Sequence, residues 1–151
     1  MTKFAVGSML LLVAASGASI NSHAATPTAK EEYELQERCG KRAEASFKKE
    51  WGSGIQNTAD GQMVAVFENH YNRRLNKCLV LYRTTNVPKK RNNADITVTT
   101  SFVLFDINAN KEYGQLWTTG VTHQVTLCNL LEKPCQSKEE WDALIKPYMN
   151  D

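Results

Sequence analysis

The sequence predicts an α+β domain: an antiparallel meander of four or five strands, flanked by an N-terminal and a C-terminal helix and stapled by disulfides. Three observations lead there. Apolar residues recur every fourth position over residues 35–51 and at helical spacing again near the end of the chain. Between these stretches, residues 63–127 are rich in β-branched and aromatic side chains and are interrupted by short polar turns, as in strands that follow one another antiparallel. Four cysteines, an even number, all lie beyond an export-type leader.

The leader comes first. Lys3 gives a positive start, residues 4–20 form an apolar and small-residue run, and Ser22-His23-Ala24 places small residues three before and directly before a cut after Ala24. That is the layout of a secretory signal peptide over residues 1–24, and its core is too short and too rich in Gly, Ala and Ser for an uncleaved spanning anchor. No cysteine adjoins the cut, so lipid anchoring is not expected. No Arg-Arg pair precedes the apolar run, so general secretion is expected, with a periplasmic or secreted destination. Residues 25–151 then make one domain, long enough to bury a sizeable core. No further apolar segment approaches the length of a membrane span. The chain carries a formal net charge of +2, and Lys3 leaves with the leader, so the balance favours neither a polyanion-coating protein nor an acidic one.

Thr28 followed by Glu31 has the form of a capping box, opening a helix over residues 29–51. Leu35, Cys39, Ala43, Phe47 and Trp51 form its apolar stripe, which sets Cys39 against the core. Gly52-Ser53-Gly54 ends it, because two glycines make continuation costly. Strands are expected over residues 63–71, 77–84, 96–107, 113–119 and 121–128. In the second, Cys78, Val80 and Tyr82 and the opposing Leu79 and Leu81 are all apolar; in the third, Phe102 and Leu104 oppose Val103 and Phe105. Strands apolar on both faces need cover on both, from a helix on each side or a curled sheet. The first hairpin has two possible registers: a five-residue loop sets His70 across from Cys78, and a four-residue loop sets Asn69 there and Phe67 opposite Val80. The last element is a helix. Ser137 and Glu140 give its start, Trp141, Leu144, Ile145 and Tyr148 its stripe, and Pro147 is expected to end or kink it.

The segments Cys39-Gly40-Lys41-Arg42-Ala43, Glu68-Asn69-His70-Tyr71-Asn72 with Leu75-Asn76-Lys77-Cys78, and residues 106–114 together resemble small exported bacterial proteins of uncharacterised function. The resemblance implies an exported, disulfide-bonded domain and carries no activity.

Cys39, Cys78, Cys128 and Cys135 read as two disulfides; zinc would need Cys-x-x-Cys or a Cys/His cluster, and neither occurs. The helix stripe carries Cys39 onto the strand face of Cys78, and Cys128 and Cys135 enclose a short proline-containing loop, so the expected pairs are Cys39–Cys78 and Cys128–Cys135. Asp106, Asn108 and Asn110 alternate like the opening of a calcium loop, yet Lys111 stands where such a loop needs Gly and Trp117 where it needs a bidentate Glu. A hairpin turn accounts for them better. Residues 69–94 hold Arg73, Arg74, Lys77, Arg83, Lys89, Lys90 and Arg91 and no acid. Arg73 and Arg74 fall in one connection and Lys89, Lys90 and Arg91 in the next, with a strand of roughly 25 Å between them, so they read as two solvated clusters rather than one anion-binding patch. A Cys78–His70 nucleophile pair requires a free thiol, which a disulfide removes. His123 reads as a solvent-facing strand residue. Trp51 and Trp141 belong to helix stripes, whereas Trp117, with space left beside it by Gly114, is the aromatic best placed for binding.

No catalytic, cofactor or metal signature occurs in the sequence. The function expected is a non-catalytic binding or interaction domain of the periplasm or envelope, with Arg73, Arg74, Lys89, Lys90, Arg91 and Trp117 as the surface residues to consider. Its partner would be an envelope protein or an anionic surface, with no specific nucleic-acid binding. The alternative is a secreted or periplasmic hydrolase whose site residues are scattered along the chain.

Overall fold

The computed structural model describes residues 27–89 and 97–150. The leader with its cleavage site, and Lys90 and Arg91, lie outside the described residues.

Helix α1 (Ala29–Trp51) begins as its sequence predicts. Thr28 Oγ1 accepts from the Glu31 N–H at 3.3 Å, and the Glu31 carboxylate accepts from the Thr28 N–H at 2.7 Å. The pairs Lys30–Glu34, Glu37–Lys41 and Glu44–Lys48 run along its exposed faces at i,i+4 spacing. Gly52 closes the helix at φ 61°. Two residues on, Gly54 sits at φ 84° with the Ala65 carbonyl oxygen only 2.6 Å from where a Cβ would stand, so no side chain is tolerated there.

Seven strands follow in chain order, each antiparallel to the next: β1 (Ile55–Asn57), β2 (Gly61–Asn72), β3 (Lys77–Pro88), β4 (Thr99–Asp106), β5 (Lys111–Thr119), β6 (Gln124–Leu130) and β7 (Lys133–Pro134). The meander is the one expected, but with seven strands it exceeds the four or five read from sequence. The additions, β1 and β7, are three and two residues long, too short to show any alternation. The sheet's fifth expected strand also starts later than residue 121. Residues 120–123 form a turn, and His123 sits in it at φ 52° rather than in a strand.

The first hairpin adopts neither expected register. Tyr71 pairs with Cys78, and His70 with Leu79. The reason is Asn72, which belongs to β2 and pairs with Lys77. Its Oδ1 accepts from the Leu75 N–H at 2.8 Å, and Asn76 takes φ 52°, so residues 73–76 alone make the turn. His70 therefore lies on the sheet face opposite Cys78.

The two faces are covered by different helices. On one, Cys39, Ala43 and Phe47 of α1 pack over β2 and β3, with Phe47 and Phe67 rings 4.7 Å apart and Tyr82 Oη donating to Ser46 Oγ at 3.3 Å. On the other, α2 (Lys138–Met149) buries Trp141 and Ile145 against Leu79, Leu104, Leu116, Cys128 and Leu130. Ser137 caps α2 by accepting from the Glu140 N–H, while the Glu140 carboxylate reaches the Gln136 N–H, one residue earlier than a reciprocal box would have it. Pro147 does not end the helix, which runs on to Met149. In the final turn a proline removes one backbone hydrogen bond and interrupts nothing beyond it.

Helix α2 lies closest to β2 and β6, as a rod lies against the walls of a trough. Bulges between Leu104 and Phe105 and between Trp117 and Thr118 break the register and supply local twist that lets the sheet curl around it. The disulfides join Cys39 to Cys78 and Cys128 to Cys135, with Cα atoms 5.3 and 5.0 Å apart, the pairing expected from the packing. Among the described residues no helix is long and apolar enough to cross a membrane.

Candidate functional site

The face that α2 covers is built of cross-strand rows, and their chemistry changes along the strands. One row holds Leu81, Leu104, Gly114 and Leu130; the next holds Arg83, Phe102, Leu116 and Cys128; the one after holds Thr85, Thr100, Thr118 and Val125. Core residues thus give way to hydroxyls within two rows. Helix α2 covers the apolar end, starting at Ser137 and running away from the threonine row. What it leaves uncovered is a cleft of about 820 Å³.

The cleft's floor is strand backbone and therefore rigid. Thr118 is buried and donates its hydroxyl to the Thr100 carbonyl at 3.4 Å, and Thr85 and Thr100 Oγ1 atoms lie 3.4 Å apart. Phe102, Val98 and Val125 supply the apolar surface. At the rim, the Lys138 ammonium sits 4.9 Å from the centroid of the Phe102 ring and is held at 2.6 Å by both oxygens of Asp142. Arg83 lines the same cleft and makes no hydrogen bond or ion pair among the described residues. Glu139 is the carboxylate in the lining.

A smaller hollow of about 460 Å³ lies between α1 and the ends of two hairpins, beside the Cys39–Cys78 bridge. Its polar groups are engaged: Arg42 donates to Asn108 Oδ1 at 2.5 Å, Tyr71 Oη donates to Asn76 Oδ1 at 2.6 Å, and Lys41 pairs with Glu37 on its own helix.

The surface residues singled out in the sequence are not brought together. Arg73 is tied to Glu32 at 2.6 Å, and Arg74 donates to the Pro147 carbonyl at 3.2 Å, so both fasten the first hairpin to the helices. Lys89 is at the other end of β3, whose twelve residues span about 36 Å. Trp117 is exposed on the α1 side of the sheet, donating its indole N–H to Gln115 at 2.8 Å. Gly114 leaves no space beside it. That glycine faces the opposite side, where the backbone of Asn129 and Leu130 closes in. The segment after Asp106 is a hairpin turn, with Asn110 at φ 51°.

The cleft residues carried one sequence signal. Arg83 interrupts the apolar series Leu79, Leu81 on a strand face that is otherwise core, and Thr85 continues the change. Its neighbours Phe102, Thr118 and Lys138 come from three other elements and had no signal of their own. Compared with family models, curated proteins and solved structures, the chain matches none.

Proposed function

We propose that this chain is an exported envelope protein, cleaved after Ala24, whose folded part is a non-catalytic binding domain with the cleft beside α2 as its binding surface. The observation that carries the reading is the cleft: about 820 Å³, floored by strands, with apolar and hydroxyl groups converging from four strands and a helix. Sites of that volume and mixture hold small ligands in an already formed shape. Export is supported by the leader pattern and by two disulfides, which persist in oxidising compartments. The resemblance to small exported bacterial proteins points the same way.

Mass spectrometry of the protein recovered from the envelope tests both parts. The intact chain is expected to begin Ala25-Thr26-Pro27, and under native conditions to carry extra mass that unfolding releases. Thr100→Trp, which fills the cleft, is expected to abolish the extra mass and leave the chain folded. A full-length mass in the membrane fraction would refute export, and cargo retained by Thr100→Trp would refute the cleft.

A further inference from the structure

Arg83 is the feature of the cleft that packing does not require. It stands on β3 between Val66 and Phe102 in the cross-strand row; the carboxylate on the adjoining strand, Glu68, pairs one row along with Leu81 and makes no ion pair with it. The other cation in the lining, Lys138, is met by Asp142, whereas the Arg83 guanidinium has no partner among the described residues. A guanidinium presents its N–H donors in a planar fork that matches carboxylate, sulfonate and phosphate oxygens, and cannot shed its charge at any ordinary pH. Phe102 is its cross-strand neighbour, and Val98, Val125 and threonine hydroxyls line the rest of the cleft. The lining thus offers the unpaired Arg83 charge at the side of an apolar and hydroxyl-bearing floor, with the Glu139 carboxylate at the helix end bonded to neither cation.

We infer that the cleft takes an amphiphilic organic anion, its acidic head on Arg83 and its apolar body over Phe102 and Val125. The inference rests on the reading of the cleft as the binding surface and names the ligand class that surface selects. The volume suits one small molecule of drug-like size. A long polyanion is a poor match, because Arg73, Arg74 and Lys89, the basic residues of the two connections flanking β3, lie at its ends and outside the lining.

The test compares two dyes that share a body and differ in charge: anilinonaphthalene sulfonate and its uncharged parent, phenylnaphthylamine. Both are titrated by fluorescence into the protein recovered from the envelope and stripped of cargo, and located by amide chemical-shift changes. A charge-assisted hydrogen bond of ordinary strength predicts that the sulfonate binds about tenfold or more tightly than the parent at low salt. Shifts are expected at Thr100, Phe102, Thr118 and Val125 rather than at Trp117 and Leu127. Arg83→Gln, a change at an exposed position, is expected to erase the preference and leave the parent's affinity within about twofold, since that affinity rests on apolar area alone. Arg83→Lys is expected to keep part of the preference. Equal binding of both dyes in the cleft, or a preference that survives Arg83→Gln, overturns the anion inference and leaves the cleft as a binding surface. Absence of both dyes from the cleft overturns both.

Discussion

Asp106 shows how a residue with the look of a cation ligand is occupied from within. Its Oδ1 accepts from the Asn108 and Ala109 N–H groups at 3.0 and 3.1 Å, and its Oδ2 accepts from the Lys77 ammonium at 2.6 Å. The carboxylate is buried, so no oxygen is turned outward for a metal. Burial pushes its pKa up, but the Lys77 ammonium and the two backbone N–H groups outweigh that and hold it below the ordinary carboxylate value. Lys77 is shifted in the matching direction, upward, chiefly by its hydrogen bond to Asp106. Because the folded-state pKa of Asp106 lies below its unfolded value of about 4, its contribution to stability is present above that pH. It is lost as pH falls through the folded value. Asp106→Asn keeps an oxygen for the turn and removes the charge pair. Since Lys77 is about one-third exposed, the expected cost is about 1–2 kcal/mol at neutral pH, or a Tm lower by about 4–8 °C. Calorimetry from neutral to acid pH checks it: the wild-type and Asn curves should converge as the solution is acidified, and parallel curves would contradict the pairing.

Among the elements, the disulfides do unequal work. Cys39–Cys78 ties α1 to β3 across 39 residues of sequence, and Cys128–Cys135 pins β6 to the approach of α2 across 7. By loop-closure entropy the long bridge contributes about 4 kcal/mol and the short one about 2.5 kcal/mol. Replacing both cysteines of the long bridge by alanine is expected to lower the urea midpoint more than the same change in the short one, and equilibrium unfolding of the two variants reads the order directly. The bridges were legible in sequence because each rests on a local fact, a helix stripe or a short loop. Three of the four helix boundaries were legible for the same reason: Thr28, Ser137 and the two glycines after Trp51 act on the turn beside them, whereas Pro147 does not end α2. Register was not. The first hairpin depends on whether Asn72 counts as strand or turn, and its buried amide settles that through contacts with a helix more than seventy residues away. No alternation of neighbours reports such a contact.

At the scale of the whole molecule, the demand for cover on both faces was legible from Leu79–Tyr82 and Phe102–Phe105, and two helices meet it. The cleft was not, because it is defined by where α2 fails to reach, a matter of helix length and placement that no residue in β3–β6 encodes. Arg83 reads first as one member of a basic run, and its break in the apolar series Leu79, Leu81 marks a change on that face without showing what lies over it. The same reach of α2 has a consequence at its other end. The Asn72 side-chain amide, fully buried, donates to the Pro147 and Tyr148 carbonyls at 3.0 and 3.1 Å, and Tyr148 meets Tyr113 edge-on at 5.6 Å. The buried amide of an early hairpin therefore finds its acceptors more than seventy residues further along the chain. A chain shortened to end at Lys146 is expected to lose at least about 2 kcal/mol from the stranded amide alone, with the hairpin amides around residues 70–79 gaining hydrogen-exchange rate together with those of α2. In any chain that emerges N-terminus first, the amide of this hairpin therefore waits for its partners until residues 147 and 148 have followed it.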